Sequence, residues 1–104
     1  MIHIAKNKEE ILNILKIENM TIMLNFHSET CGPCIMQMPI LEDLSNDKKI
    51  TLITFDVEEG GGVLEHFGIS ATPTTIIYKN GEEVFKNVGF LSYEEWSDKI
   101  SKFQ

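Results

Sequence analysis

A single α/β domain over residues 1–104, built on a mixed central sheet in the order β-α-β-α-β-α-β-β-α, is what this sequence predicts. Three observations carry that prediction. Runs rich in strand formers alternate with runs of helical periodicity through the first part of the chain, the pattern of parallel crossover units. An Asn80–Gly81 dipeptide then lies between two strand-like runs, the composition of a tight antiparallel hairpin. A capped, amphipathic segment closes the chain. Five strands flanked by four helices, with helices on both faces of the sheet, follow from the order.

Each element has its own justification. Residues 2–4 open the chain as a short strand. Asn7 is a good N-cap, and Ile11, Leu12, Ile14 and Leu15 then recur at helical spacing. Thr21–His27 (TIMLNFH) reads as a buried central strand, interrupted only by Asn25. After Cys34 comes an amphipathic run with Met38, Leu41 and Leu44 on one face and Pro39 placed to kink it. Residues 50–57 (ITLITFDV) form another buried strand. Residues 58–62 are a flexible, acidic, glycine-rich turn, and Val63–Phe67 is a short helix closed by Gly68. Thr74–Lys79 and residues 83–88 are the hairpin strands. Ser92 caps the last helix, Glu95 completes a capping box, and Trp96, Ile100 and Phe103 are its apolar side.

Composition narrows the function. With 42% hydrophobic and 24% charged residues, the chain can bury a core and is not of disordered composition. Nine basic against sixteen acidic residues give a net charge of −7, and no basic stripe is present, which argues against nucleic acid and against an anionic membrane surface. Residues 1–10 lack the apolar run of a signal peptide, and no apolar stretch is long enough to span a bilayer. The expectation is a monomer in a reducing cytoplasm, where two cysteines do not serve as a structural staple.

Those two cysteines are Cys31 and Cys34, separated by Gly32 and Pro33, just after a buried strand and at the start of a helix. A sulfur at or next to the helix N-cap faces free backbone N–H groups and the positive end of the dipole, which favours the thiolate and makes Cys31 the nucleophile. Cys34, one turn further in, is more buried and can resolve a mixed disulfide formed on Cys31. Pro33 suits the first helical turn, and Gly32 lets a substrate backbone approach closely. A zinc half-site is the plainer alternative, but zinc wants four ligands; no second cysteine pair exists and the histidines at 3, 27 and 66 have no ligand-like spacing, so no metal is expected.

CGPC after TIMLNFH resembles the active site of the thioredoxin family. The resemblance covers the whole chain and includes Pro39, the Thr72–Pro73–Thr74 segment, the hairpin at 79–81 and Gly89. It implies a thioredoxin fold and a protein-disulfide reductase, an electron carrier in cell redox homeostasis. It also implies a cis Thr72–Pro73 bond lying against the dithiol. The backbone of Thr72 is expected to pair with a substrate chain in strand fashion, and Thr72, Pro73, Gly89, Val88, Val57, Gly32 and Pro33 to form a shallow apolar docking surface. No cofactor beyond the redox-active disulfide is expected. Electrons are expected from a flavin-containing, NADPH-dependent thioredoxin reductase, for delivery to disulfide-containing proteins.

The supporting residues depart from the family pattern. Asn25 replaces the buried aspartate that exchanges a proton with the resolving cysteine; an amide cannot do so, which predicts slower resolution with water relaying the proton. The expected state of Asn25 is a buried amide satisfied by hydrogen bonds. Thr54 replaces the lysine near that aspartate, so a charge pair gives way to neutral groups. Thr30 replaces the tryptophan before the first cysteine, and His27 replaces another aromatic, so the rim becomes smaller and more polar. His27 is either a partly exposed ring or a group that helps hold the thiolate.

The remaining candidates read as structural. Trp96 belongs to the core, and one or both of Met36 and Met38 pack there too. The glycines at 60–62 lack the GK[ST] of a phosphate loop, and Glu9–Glu10, Glu58–Glu59 and Glu82–Glu83 are solvated pairs. Two other functions compete with the general reductant: a binding or scaffold module on the same fold, and a dedicated reductant of one partner enzyme.

Overall fold

The computed structural model describes residues 1–17 and 19–104. Its elements are β1 (Ile2–Ala5), α1 (Lys8–Leu15), β2 (Thr21–His27), α2 (Gly32–Lys48), β3 (Thr51–Asp56), α3 (Val63–Phe67), β4 (Thr74–Lys79), β5 (Glu82–Val88) and α4 (Tyr93–Ser101), with a 3-10 turn at Val57–Glu59. This is the expected order. The strands form one mixed sheet, β1-β3-β2-β4-β5, in which β1, β3 and β2 are parallel and β4 and β5 antiparallel.

Local chemistry sets most boundaries. Asn7 accepts the Glu10 N–H at 3.0 Å to start α1, and Ser92 with Glu95 forms a reciprocal capping box on α4. The hairpin turns through Asn80 and Gly81, with φ of 54° and 80°, the pair of positive angles that a type I′ turn requires. β3 ends one residue earlier than its apolar run implies. The Asp56 carboxylate accepts the Glu58 N–H at 2.9 Å, which winds Val57 into the 3-10 turn instead of the strand. α4 likewise stops at Ser101, so Phe103 lies just beyond the helix, half-buried, its N–H donating to the Ile100 carbonyl at 2.9 Å.

The sheet separates two apolar cores. On one face Ile11 and Leu15 of α1 and Val63 of α3 pack on Leu24, Phe26, Ile53 and Phe55. On the other, Leu41 and Leu44 of α2 and Trp96 and Ile100 of α4 pack on Met23, Leu52 and Ile77. β2 lies in the middle and is buried almost end to end, which is why its sequence lacks strict alternation. Among the described residues, no helix is long and apolar enough to cross a membrane.

Candidate active site

β2 hands over to α2 through a short loop at 28–30. The Ser28 carbonyl accepts the Cys31 N–H at 3.2 Å, and the Ser28 and Thr30 hydroxyls lie 3.0 Å apart. Cys31 is the N-cap of α2 in extended conformation (φ −97°, ψ 108°), and its sulfur accepts the Cys34 N–H at 3.2 Å. Pro33 occupies the first turn, where its missing N–H costs nothing. The helix continues through Pro39 to Lys48. Cys31 and Cys34 are joined as a disulfide with Cα atoms 5.2 Å apart. Cys31 is half-exposed, whereas Cys34 is only 4% exposed and forms part of the floor behind it.

Topology brings the rest of the expected surface to the same end of the sheet. β2 and β3 are parallel, so the Cys31 loop and Val57 follow strands that end side by side; β4 runs the other way, so Pro73 precedes its start there, and β5 ends beside it at Val88. The Thr72–Pro73 bond is cis, as the resemblance implied. The Pro73 carbonyl accepts the Gly89 N–H at 2.8 Å, which ties the loop after β5 to the proline. Pro73 is buried, Thr72 and Val57 are half-buried, and Val88 is 61% exposed. A Cβ placed on Gly32 would meet nothing within 4 Å, so the space above it is open. Thr30 is exposed at the rim and His27 is half-buried.

Beneath α2 lies a polar row. Strand register sets Thr54, Asn25 and Thr75 side by side across β3, β2 and β4, all buried. Asn25 shares its face of β2 with Met23, which packs on α2. The expectation of a fully satisfied amide is half right: Asn25 Nδ2 donates to Thr75 Oγ1 at 3.0 Å, but Oδ1 has no partner.

Three features were not foreseen. Met36 is 63% exposed beside Ile35 at 67%, rather than in the core, because both lie on the side of α2 turned away from Cys34 and Leu41; Met38 is half-buried. Phe90 is exposed just after Gly89, extending the apolar surface. Gln37 is buried and clamps the loop after β5, donating to the Leu91 carbonyl at 3.0 Å and accepting its N–H at 2.9 Å. A glutamine among the apolar positions of an amphipathic helix was the available signal. The Glu pairs are exposed as expected, with Glu59 paired to Lys6 at 3.2 Å, and Trp96 is fully buried. Among the described residues, no cluster of three or more His, Cys, Asp or Glu side chains is placed to hold a metal ion.

Comparisons with known proteins agree with this geometry. The family model described as Thioredoxin matches residues 2–102. A thioredoxin of Chlamydia muridarum is 36% identical over 84 residues, covering 80% of this chain and 82% of the relative; one of Mycoplasmoides gallisepticum is 32% identical over 101 residues, covering 96% and 99%. Among solved structures, reduced Schistosoma mansoni thioredoxin pre-protein superposes with a TM-score of 0.89 at 30% identity, covering 99% of this chain and 98% of that one.

Proposed function

This chain belongs to the thioredoxin family and is a thiol–disulfide oxidoreductase, and from that premise we propose how the work is divided among its residues. Cys31 is the attacking thiol. In the reduced protein its thiolate is held at the N-terminus of α2 by the Cys34 N–H and the helix dipole. It attacks a substrate disulfide, forms a mixed disulfide and releases one substrate thiol. Cys34 then attacks Cys31 Sγ, closes the Cys31–Cys34 bond and expels the second thiol. The observation that supports this division is the unequal exposure of the two sulfurs across one helix N-cap.

The substrate chain docks on Thr72, Pro73, Gly89, Val88, Val57, Gly32 and Pro33, pairing with the Thr72 backbone as an added strand. The oxidised protein is recharged by a flavin-containing, NADPH-dependent thioredoxin reductase, and the protein works in the cytoplasm. Thr30 and His27 give the rim a different shape from the family's indole, so they set which reductase and substrates are accepted. Insulin-disulfide reduction with dithiothreitol tests the core of this reading. Wild type is expected to precipitate insulin, and Cys31→Ser to fall to the uncatalysed rate. Wild type no faster than Cys31→Ser would refute it. Repeating the assay with NADPH and a thioredoxin reductase tests the donor.

A further inference from the structure

Resolution of the mixed disulfide requires Cys34, only 4% exposed, to lose its proton inside the protein. The polar groups beneath α2 cannot take it. Asn25 carries an amide and Thr54 and Thr75 carry hydroxyls, none of which accepts a proton near neutrality. Two residues further along β2, on the same face as Asn25, stands His27. It is half-buried, and with Cys34 it lines a cavity of about 220 Å³ whose other walls are Ser28, Glu29, Ile35 and Met38. Free imidazole ordinarily changes charge at about pH 6.5, the only side chain to do so near neutrality. The cavity is mostly apolar but open to solvent, and it has room for water, which occupies roughly 30 Å³ per molecule.

We propose that His27 is the proton acceptor for Cys34, reached through water in this cavity; the proposal rests on the assignment of Cys34 as resolving thiol. Cys34 Sγ–H passes its proton to the neutral imidazole. The resulting thiolate attacks Cys31 Sγ, the Cys31–Cys34 bond forms as the bond between Cys31 and the substrate sulfur breaks, and the departing substrate thiolate takes the proton from the imidazolium. Two electrons pass from the dithiol to the substrate, and His27 ends neutral. The charged groups around His27 are its register partner Asp56 on β3 and Glu29 on the cavity wall. Lys6, beyond Asp56 at the end of β1, is engaged by Glu59 at 3.2 Å. α2 presents no titratable side chain to the cavity other than Cys34.

The test separates attack from resolution. Reduced protein is mixed in a stopped-flow instrument, at near-equal concentration, with a symmetrical nitrophenyl disulfide whose released thiolate is coloured. The first release reports Cys31 and scales with reagent concentration; the second reports Cys34 and does not. His27→Gln and His27→Phe, both checked for wild-type melting, are expected to slow the second phase by about 10²-fold at neutral pH, far more than they change the first, in which His27 acts only as part of the rim. The wild-type second phase should depend on pH less steeply than that of the variants, in which it should climb about tenfold per pH unit, as uncatalysed thiol ionisation requires. Added imidazole should restore the second phase of His27→Ala. A second phase unchanged in rate and pH profile, or both phases slowed alike, overturns the role of His27. Two releases from Cys34→Ser would instead overturn the assignment of Cys34 beneath it.

Discussion

Replacing Asn25 by aspartate puts a carboxyl where the protein has prepared no counter-charge. The site is 1% exposed, its neighbours are Thr54 and Thr75, and no ion pair reaches it among the described residues. Burial of this degree raises a carboxyl pKa by about 3 pH units, and at about 1.36 kcal/mol per unit the ionised form costs about 4 kcal/mol. The Thr75 hydroxyl can turn to donate to the carboxylate, which returns about 1.5 kcal/mol and leaves a net loss of about 2–3 kcal/mol. The sign follows from proton binding. The folded state keeps a proton that the unfolded state releases from about pH 4 upward, so stability falls as pH rises from there and levels off above the raised folded value. Urea unfolding of oxidised Asn25→Asp and wild type should therefore agree within about 1 kcal/mol at about pH 4 and separate by about 2–3 kcal/mol at about pH 8. An equal loss at both pH values would refute the reasoning, because it would show that packing and not ionisation sets the cost.

Other perturbations probe separate parts of the fold. Tyr78 is held up to about 12, first by burial and then by Glu83, and Tyr93 is also raised, chiefly by its hydrogen bond to Asp47; these are the two tyrosines of the chain. Ultraviolet titration should therefore show little phenolate at pH 10.0, the ordinary value, and the Tyr78 proton retained by the folded state makes stability decline between pH 10.0 and about 12. Glu83→Gln should lower the Tyr78 midpoint by the smaller part of its elevation, since burial is the larger cause. Ser92→Ala removes the acceptor of the Glu95 N–H and should cost about 1 kcal/mol in urea unfolding, with the m-value unchanged. Trp96→Ala should cost about 3–5 kcal/mol, because the indole is fully buried between α4 and the sheet and packs edge-on to Phe85. Trp96→Phe should cost far less, since it keeps an aromatic ring against Phe85 and loses only a buried N–H that has no partner; equal losses from the two would show that ring packing does not set the cost.

What could be read without coordinates is what neighbouring residues settle among themselves. Asn7 with Glu10, Ser92 with Glu95, Gly68 after α3 and Asn80–Gly81 in the hairpin act over three or four positions, so their chemistry is written in consecutive residues. The same holds for the dithiol. A cysteine at a helix N-cap with a second one turn inside needs only the strand, the loop and the helix to acquire its asymmetry. The misplaced end of β3 is the exception that fits the rule: the strand run continues through Val57, but the Asp56 side chain captures the Glu58 N–H and turns the backbone.

Long-range register decided the rest. That Asn25 sits between Thr54 and Thr75, with one end of its amide satisfied and the other not, depends on how three strands far apart in sequence align. Gln37 becomes a clamp only because the loop at Leu91 returns to it. Met36 and Ile35 face outward because α2 presents its other side to the sheet. His27 and Cys34 share a cavity because β2 and α2 pack face to face at that end. The sequence by itself determined the dithiol, the order of elements and their caps, since these follow from contacts a few residues apart. The tertiary structure alone decided which polar groups stand around Cys34 and which are left without partners, since packing and strand pairing, not local propensity, choose a side chain's distant neighbours.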